Sequence, residues 1–62
     1  MGLLLEFIRF LYIAKGSAAE LRTQTYIAYR IGVIKETRQQ EMVQELIAIS
    51  RMIHGLIQKV KT

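Results

Sequence analysis

The side chains in this sequence that could do chemistry are few, and their spacing limits what they can do. Ser17, Glu20 and Gln24 follow one another at intervals of three and four, which on a helix sets them on one strip. A carboxylate there could serve as a general base or a metal ligand. Either role needs a second acid, a histidine or a thiolate close by, yet the chain has no cysteine and one histidine, His54. The strip therefore reads as a polar register device, with Glu20 and Gln24 bonding across to Arg51 or Ser50 on a neighbouring helix. His54 follows Ser50 by one turn and reads as a boundary residue at the edge of an apolar arc. Gly55 beside it is expected to let helices approach closely. Phosphate-binding glycine loops, nucleophile triads and paired metal-binding histidines are absent from the sequence. No catalytic residue, metal site or cofactor is expected, and the chain reads as a non-enzyme.

A second constellation is basic. At 100° per residue Arg9, Lys15, Arg22 and Arg30 fall in one broad arc that also holds Tyr12 and Tyr26. Cations interleaved with aromatic rings suit phosphates and unpaired bases, and a net charge of +4 favours an anionic partner. The plainer reading is a solvated face on which lysine and arginine stems cover the tyrosine rings.

The elements that carry these residues follow from what the sequence lacks. It has no proline, and between Leu3 and Ile31 only Gly16 weakens a helix, by about 1 kcal/mol relative to alanine. One helix is expected over about 3–31, ended by Gly32 in the left-handed conformation. Val33 to Glu36 form a short connection. Thr37 with Gln40 fits a capping box, which starts a second helix over about 38–60. Phe7, Leu11, Ala14, Ala18, Leu21, Thr25 and Ala28 alternate four and three apart, as a seam facing a partner helix does. Met42, Leu46, Ile49, Ile53, Leu56 and Val60 repeat that spacing with larger side chains. A connection of this length folds the two helices back on each other.

A chain of 62 residues that is 52% hydrophobic cannot bury all of that surface in one seam. Phe10, Ile13, Ile27 and Ile31 widen the first apolar face, and Val43, Ile47 and Ile57 widen the second. With no disulfide or metal to supplement the core, oligomerisation is the route left. The expected fold is all-α: an antiparallel hairpin that dimerises into a four-helix bundle. Glu6 and Arg9 interrupt the apolar N-terminus, so neither a secretion signal nor a membrane span is read, and a cytoplasmic protein without membrane contact is expected.

The run Gly16-Ser-Ala-Ala-Glu-Leu-Arg-Thr-Gln24, continuing through Ile27, Ala28 and Gly32, closely resembles the four-helix-bundle proteins encoded in intervening sequences of bacterial 23S ribosomal RNA genes. Glu6 to Leu11 with Ile13 and Ala14 look like that family's third helix, and Ile49 to Ile53 with Gly55 to Ile57 look like its fourth. The resemblance implies that each helix expects two others beside it, and that two helices ahead of this point are missing here. It also implies candidate behaviours. Full-length relatives form ring-like pentamers, and a related protein accompanies the reverse transcriptase of diversity-generating retroelements, contacting enzyme and nucleic acid. The expected function is thus a structural or interaction module whose partner is a second copy of the chain, with RNA or another protein as a further partner. The alternatives are a nucleic-acid-binding module acting through the basic arc, and a shortened relative with no activity beyond folding.

Overall fold

The computed structural model describes residues 2–61. They form two helices, α1 (Gly2–Arg30) and α2 (Glu36–Lys61), folded back on each other as an antiparallel hairpin. The turn is set by Gly32, whose φ of 84° lies where only glycine is free of strain. Its N–H donates to Tyr29 O at 3.0 Å, and the Val33 N–H donates to Ala28 O at 2.8 Å. These are the paired bonds of a Schellman cap, which satisfy carbonyls that the end of α1 would otherwise leave open.

The start of α2 differs from the expected capping box. The first intrahelical bond runs from the Gln39 N–H to Lys35 O, 3.0 Å, so Lys35 caps the helix and Thr37 already lies inside it. Gln40 Nε2 donates to Glu36 Oε1 at 3.3 Å instead of reaching back to a threonine. Glu36 prevails because a carboxylate in the first turn meets the positive end of the helix dipole and can also bond to the residue one turn ahead.

The seam between the helices also needs correction. Leu11, Ala18 and Thr25 are buried at intervals of seven, but Phe7 and Leu21 from the expected row are exposed. On α2 the inward row is Gln39, Val43, Leu46, Ser50, Ile53, Ile57 and Val60, alternating four and three apart, all of them buried or partly buried. Leu46, Ile53 and Val60 belong to both rows. Ile49 and Leu56 are turned outward and Met42 is only partly covered, while Val43 and Ile57, expected on the flank, lie inside. The physical reason is the width of the apolar arc: two adjacent rows each satisfy heptad spacing, and only one can face the other helix of the hairpin. Gly55 does not serve close approach either, since a Cβ built on it, or on Gly16, meets nothing within 4 Å.

The result is a rod with Cα extents of 47 × 16 × 10 Å. Its radius of gyration is 14.4 Å, against roughly 10.6 Å for a compact domain of this length. With two helices side by side, the hairpin is a single layer where domains ordinarily pack two. Among the described residues, no helix is long and apolar enough to cross a membrane.

Candidate functional site

A single layer of two helices presents two flanks, one on each side of the seam. Their chemistry is different.

On the first flank Lys15 and Arg22 of α1 meet Ile47, Ser50, Arg51 and His54 of α2 around a cleft of about 270 Å³. Lys15 Nζ lies 3.1 Å from His54 Nδ1. An ammonium can only donate, so in this contact the ring nitrogen is the acceptor. The chain's five carboxylates belong to Glu6, Glu20, Glu36, Glu41 and Glu45, and none lines this cleft. Arg30 stands eight residues beyond Arg22 in the last turn of α1, where a cation is favoured by the helix dipole. Tyr26 follows Arg22 by one turn and borders a broad depression with Gln40 and Val43. Towards the chain ends, the Lys61 ammonium donates to the Tyr12 hydroxyl at 3.1 Å and sits 5.6 Å from the ring centroid.

The expected basic arc is thus divided. Lys15 and Arg22 come together at the cleft, while Tyr26 borders a separate depression, Tyr12 meets Lys61, and Arg30 stands in the last turn of α1. Arg9 is separated from them, beside Glu6, Phe10 and Ile13 on the outer surface. Six residues from Arg9 to Lys15 turn a helix by about 600°, roughly 120° short of two full turns, enough to leave the cleft. His54 was legible only as a boundary residue, and its partnership with Lys15, 39 residues away in sequence, depends on which row of α2 faces inward.

On the second flank Leu21, Thr25, Met42, Leu46 and Ile49 line a groove, together with Arg38 and Glu45. Arg38 is already paired with Glu41 at 3.1 Å on the surface of α2. Phe7, Phe10, Leu21, Ile49 and Leu56 are between 41% and 69% exposed, so this flank is an uncovered apolar surface.

The polar residues expected to fix register do not bridge the helices. Ser17, Glu20, Gln24 and Arg51 are all exposed, and within the hairpin none of these side chains bonds across to the other helix. Glu20 points away from α2 because nine residues separate it from the buried Leu11, half a turn beyond whole turns. The buried polar side chains are Thr25 and Gln39 instead. Thr25 Oγ1 donates to Arg22 O at 2.8 Å, whereas Gln39 Nε2 is buried without a partner. Gln39 could have been found in the sequence, since it heads the four-three row that continues through Val43 and Leu46. Among the described residues, no three histidine, aspartate or glutamate side chains gather where a metal ion could be held.

A two-helix layer with one basic and one apolar flank defines a small helical-hairpin protein. A family model for the 23S rRNA-intervening sequence protein matches residues 4–55, and the chain belongs to that family. The matched span includes the Gly32 turn, both walls of the basic cleft and most of the apolar flank. No curated protein and no solved structure matches the chain significantly.

Proposed function

We propose that this protein is a non-enzymatic, self-associating bundle module, in which two hairpins pair through their apolar flanks to make a four-helix bundle that then serves as a structural or interaction unit. The observation that carries this reading is the uncovered apolar surface. Among the described residues, Phe7, Leu21, Ile49 and Leu56 on this flank are exposed, while the buried hydrophobic residues are Leu11, Ala18, Val43 and Ile57. The accessible surface is 5139 Å², against roughly 4100 Å² for a compact monomer of this mass. The excess, about 1000 Å² per chain, would amount to about 2000 Å² in a pair, the upper end of a standard stable interface.

A second copy is the occupant that fits this flank. A twofold axis sets the same patch against itself, so the Phe7, Leu21, Ile49 and Leu56 row of one copy meets that of the other. Arg38 and Glu45, opposite in sign and lining one groove, can meet Glu45 and Arg38 of the second copy across the same axis. Exposed Ser17 and Gln24 then border the interface rather than the seam within one chain. The heptad row misassigned to the hairpin is a row suited to a third helix.

The test is the molar mass of the full chain by light scattering over a wide concentration range. The expected mass is about 14 kDa, twice the 7.2 kDa chain. A folded single chain of 7.2 kDa would contradict the reading, and a mass of five or ten chains would replace the pair by a ring.

A further inference from the structure

The basic flank takes no part in the pairing proposed above, and its composition asks for a different partner. Lys15 and Arg22 from one helix converge with Arg51 and His54 from the other on a single cleft, which Ser50 also lines. Three permanent cations placed together repel one another. In a chain with five carboxylates the ordinary remedy is an ion pair, and none of those carboxylates reaches the cleft. Among the described residues, the hydrogen-bonded contact at the cleft joins Lys15 to His54, which supplies no carboxylate. Every polar side chain lining the cleft can donate a hydrogen bond, and two of them are guanidinium forks, which match the paired oxygens of a phosphate. The cleft's 270 Å³ is several times the ~30 Å³ of a water molecule, enough for a hydrated oxyanion.

We infer that this cleft binds a phosphate group, gripped by Lys15 and Arg22 on α1 and by Arg51, Ser50 and His54 on α2. The phosphate can belong to a polynucleotide or to a small phosphorylated compound. The two sources differ in what they touch next. A polynucleotide continues along α1 to Tyr26, one turn beyond Arg22, and to Arg30 in the last turn of the helix, and a base can stack on the exposed Tyr26 ring. A small phosphate compound uses the cleft alone.

The experiment is a titration of the isotopically labelled full chain, followed by amide shifts, with inorganic phosphate and separately with a short oligouridylate. Both should move the amides of Ser50, Arg51 and His54. Lys15→Ala and Arg51→Ala should each weaken phosphate binding by about tenfold, the scale of a lost charge-assisted contact. Arg9→Ala removes the same charge from the outer surface of α1 and should change binding by less than about twofold. Arg51→Lys, which keeps the charge and loses the fork, should fall between. Tighter binding of the oligomer that is weakened by Tyr26→Ala and Arg30→Ala identifies a polynucleotide. Equal affinity of the two ligands, untouched by those substitutions, identifies a small phosphate compound. The inference is overturned if neither ligand moves the cleft amides, or if Arg9→Ala weakens binding as much as Arg51→Ala, since the attraction would then be diffuse charge alone. Melting curves on each variant separate lost binding from lost fold.

Discussion

The two flanks of the hairpin are built from the same two helices and fail to close in opposite ways. One leaves apolar side chains in water, Leu21, Ile49 and Leu56 among them. The other gathers cations, Lys15, Arg22 and Arg51, without an acid. An apolar surface is covered by another apolar surface, and clustered cations by an anion. The comparison teaches that a small chain can divide its unmet needs by side, so that assembly on one flank leaves the other open.

Neighbouring residues on α2 give the sharpest way to break this division. Ile57 is 1% exposed in the seam, and Leu56 beside it is 41% exposed on the apolar flank. Ile57→Ala should cost about 3 kcal/mol in chemical denaturation at any protein concentration, as a cavity in a packed core does. Leu56→Ala should cost about 1–2 kcal/mol, and its effect should shrink as the protein is diluted, because the proposed pairing buries that side chain between chains. Equal, concentration-independent losses would remove the distinction between seam and flank.

A smaller effect sharpens the account of the seam. Gln39 is buried with an unpaired amide nitrogen, so Gln39→Met keeps the volume and removes an unsatisfied donor. Stability should rise by about 1 kcal/mol, read from the denaturation midpoint. A loss instead would mean that the amide finds a partner in solution.

The smallest effect probes the outer surface. Nothing lies within 4 Å of a Cβ built on Gly55, so Gly55→Ala should raise stability by about 0.5–1 kcal/mol through helix propensity. Destabilisation would indicate that another chain packs there, shifting the interface away from the apolar flank.

The hairpin itself was legible in the sequence for a local reason. Gly32 is the one glycine that interrupts an otherwise unbroken helical pattern where the chain must reverse, and its positive φ fixes the turn without help from distant residues. The inward row was not legible, because Met42, Ile49 and Leu56 match Val43 and Ile57 in apolar character, and Ser50 lowers the score of the row that faces inward. In a helix meant for two neighbours, periodicity marks both contact rows and does not rank them. The cleft shared that fate. Lys15 and Arg22 could be grouped along α1 by spacing, but Arg51 and His54 join them only once α2 has been rotated to bury Ile57. Arg51, read as a register residue, lines the cleft and makes no bond across the hairpin.

The division between flanks is tested most directly by comparing the molar masses of two variants in solution, the pair Leu21→Glu with Ile49→Glu and the single change Arg51→Glu. Carboxylates on the apolar flank should bring the mass down to the 7.2 kDa of one chain, while charge reversal in the cleft should leave it at about twice that value. A paired Leu21→Glu, Ile49→Glu protein, or dissociation caused by Arg51→Glu, would contradict the account.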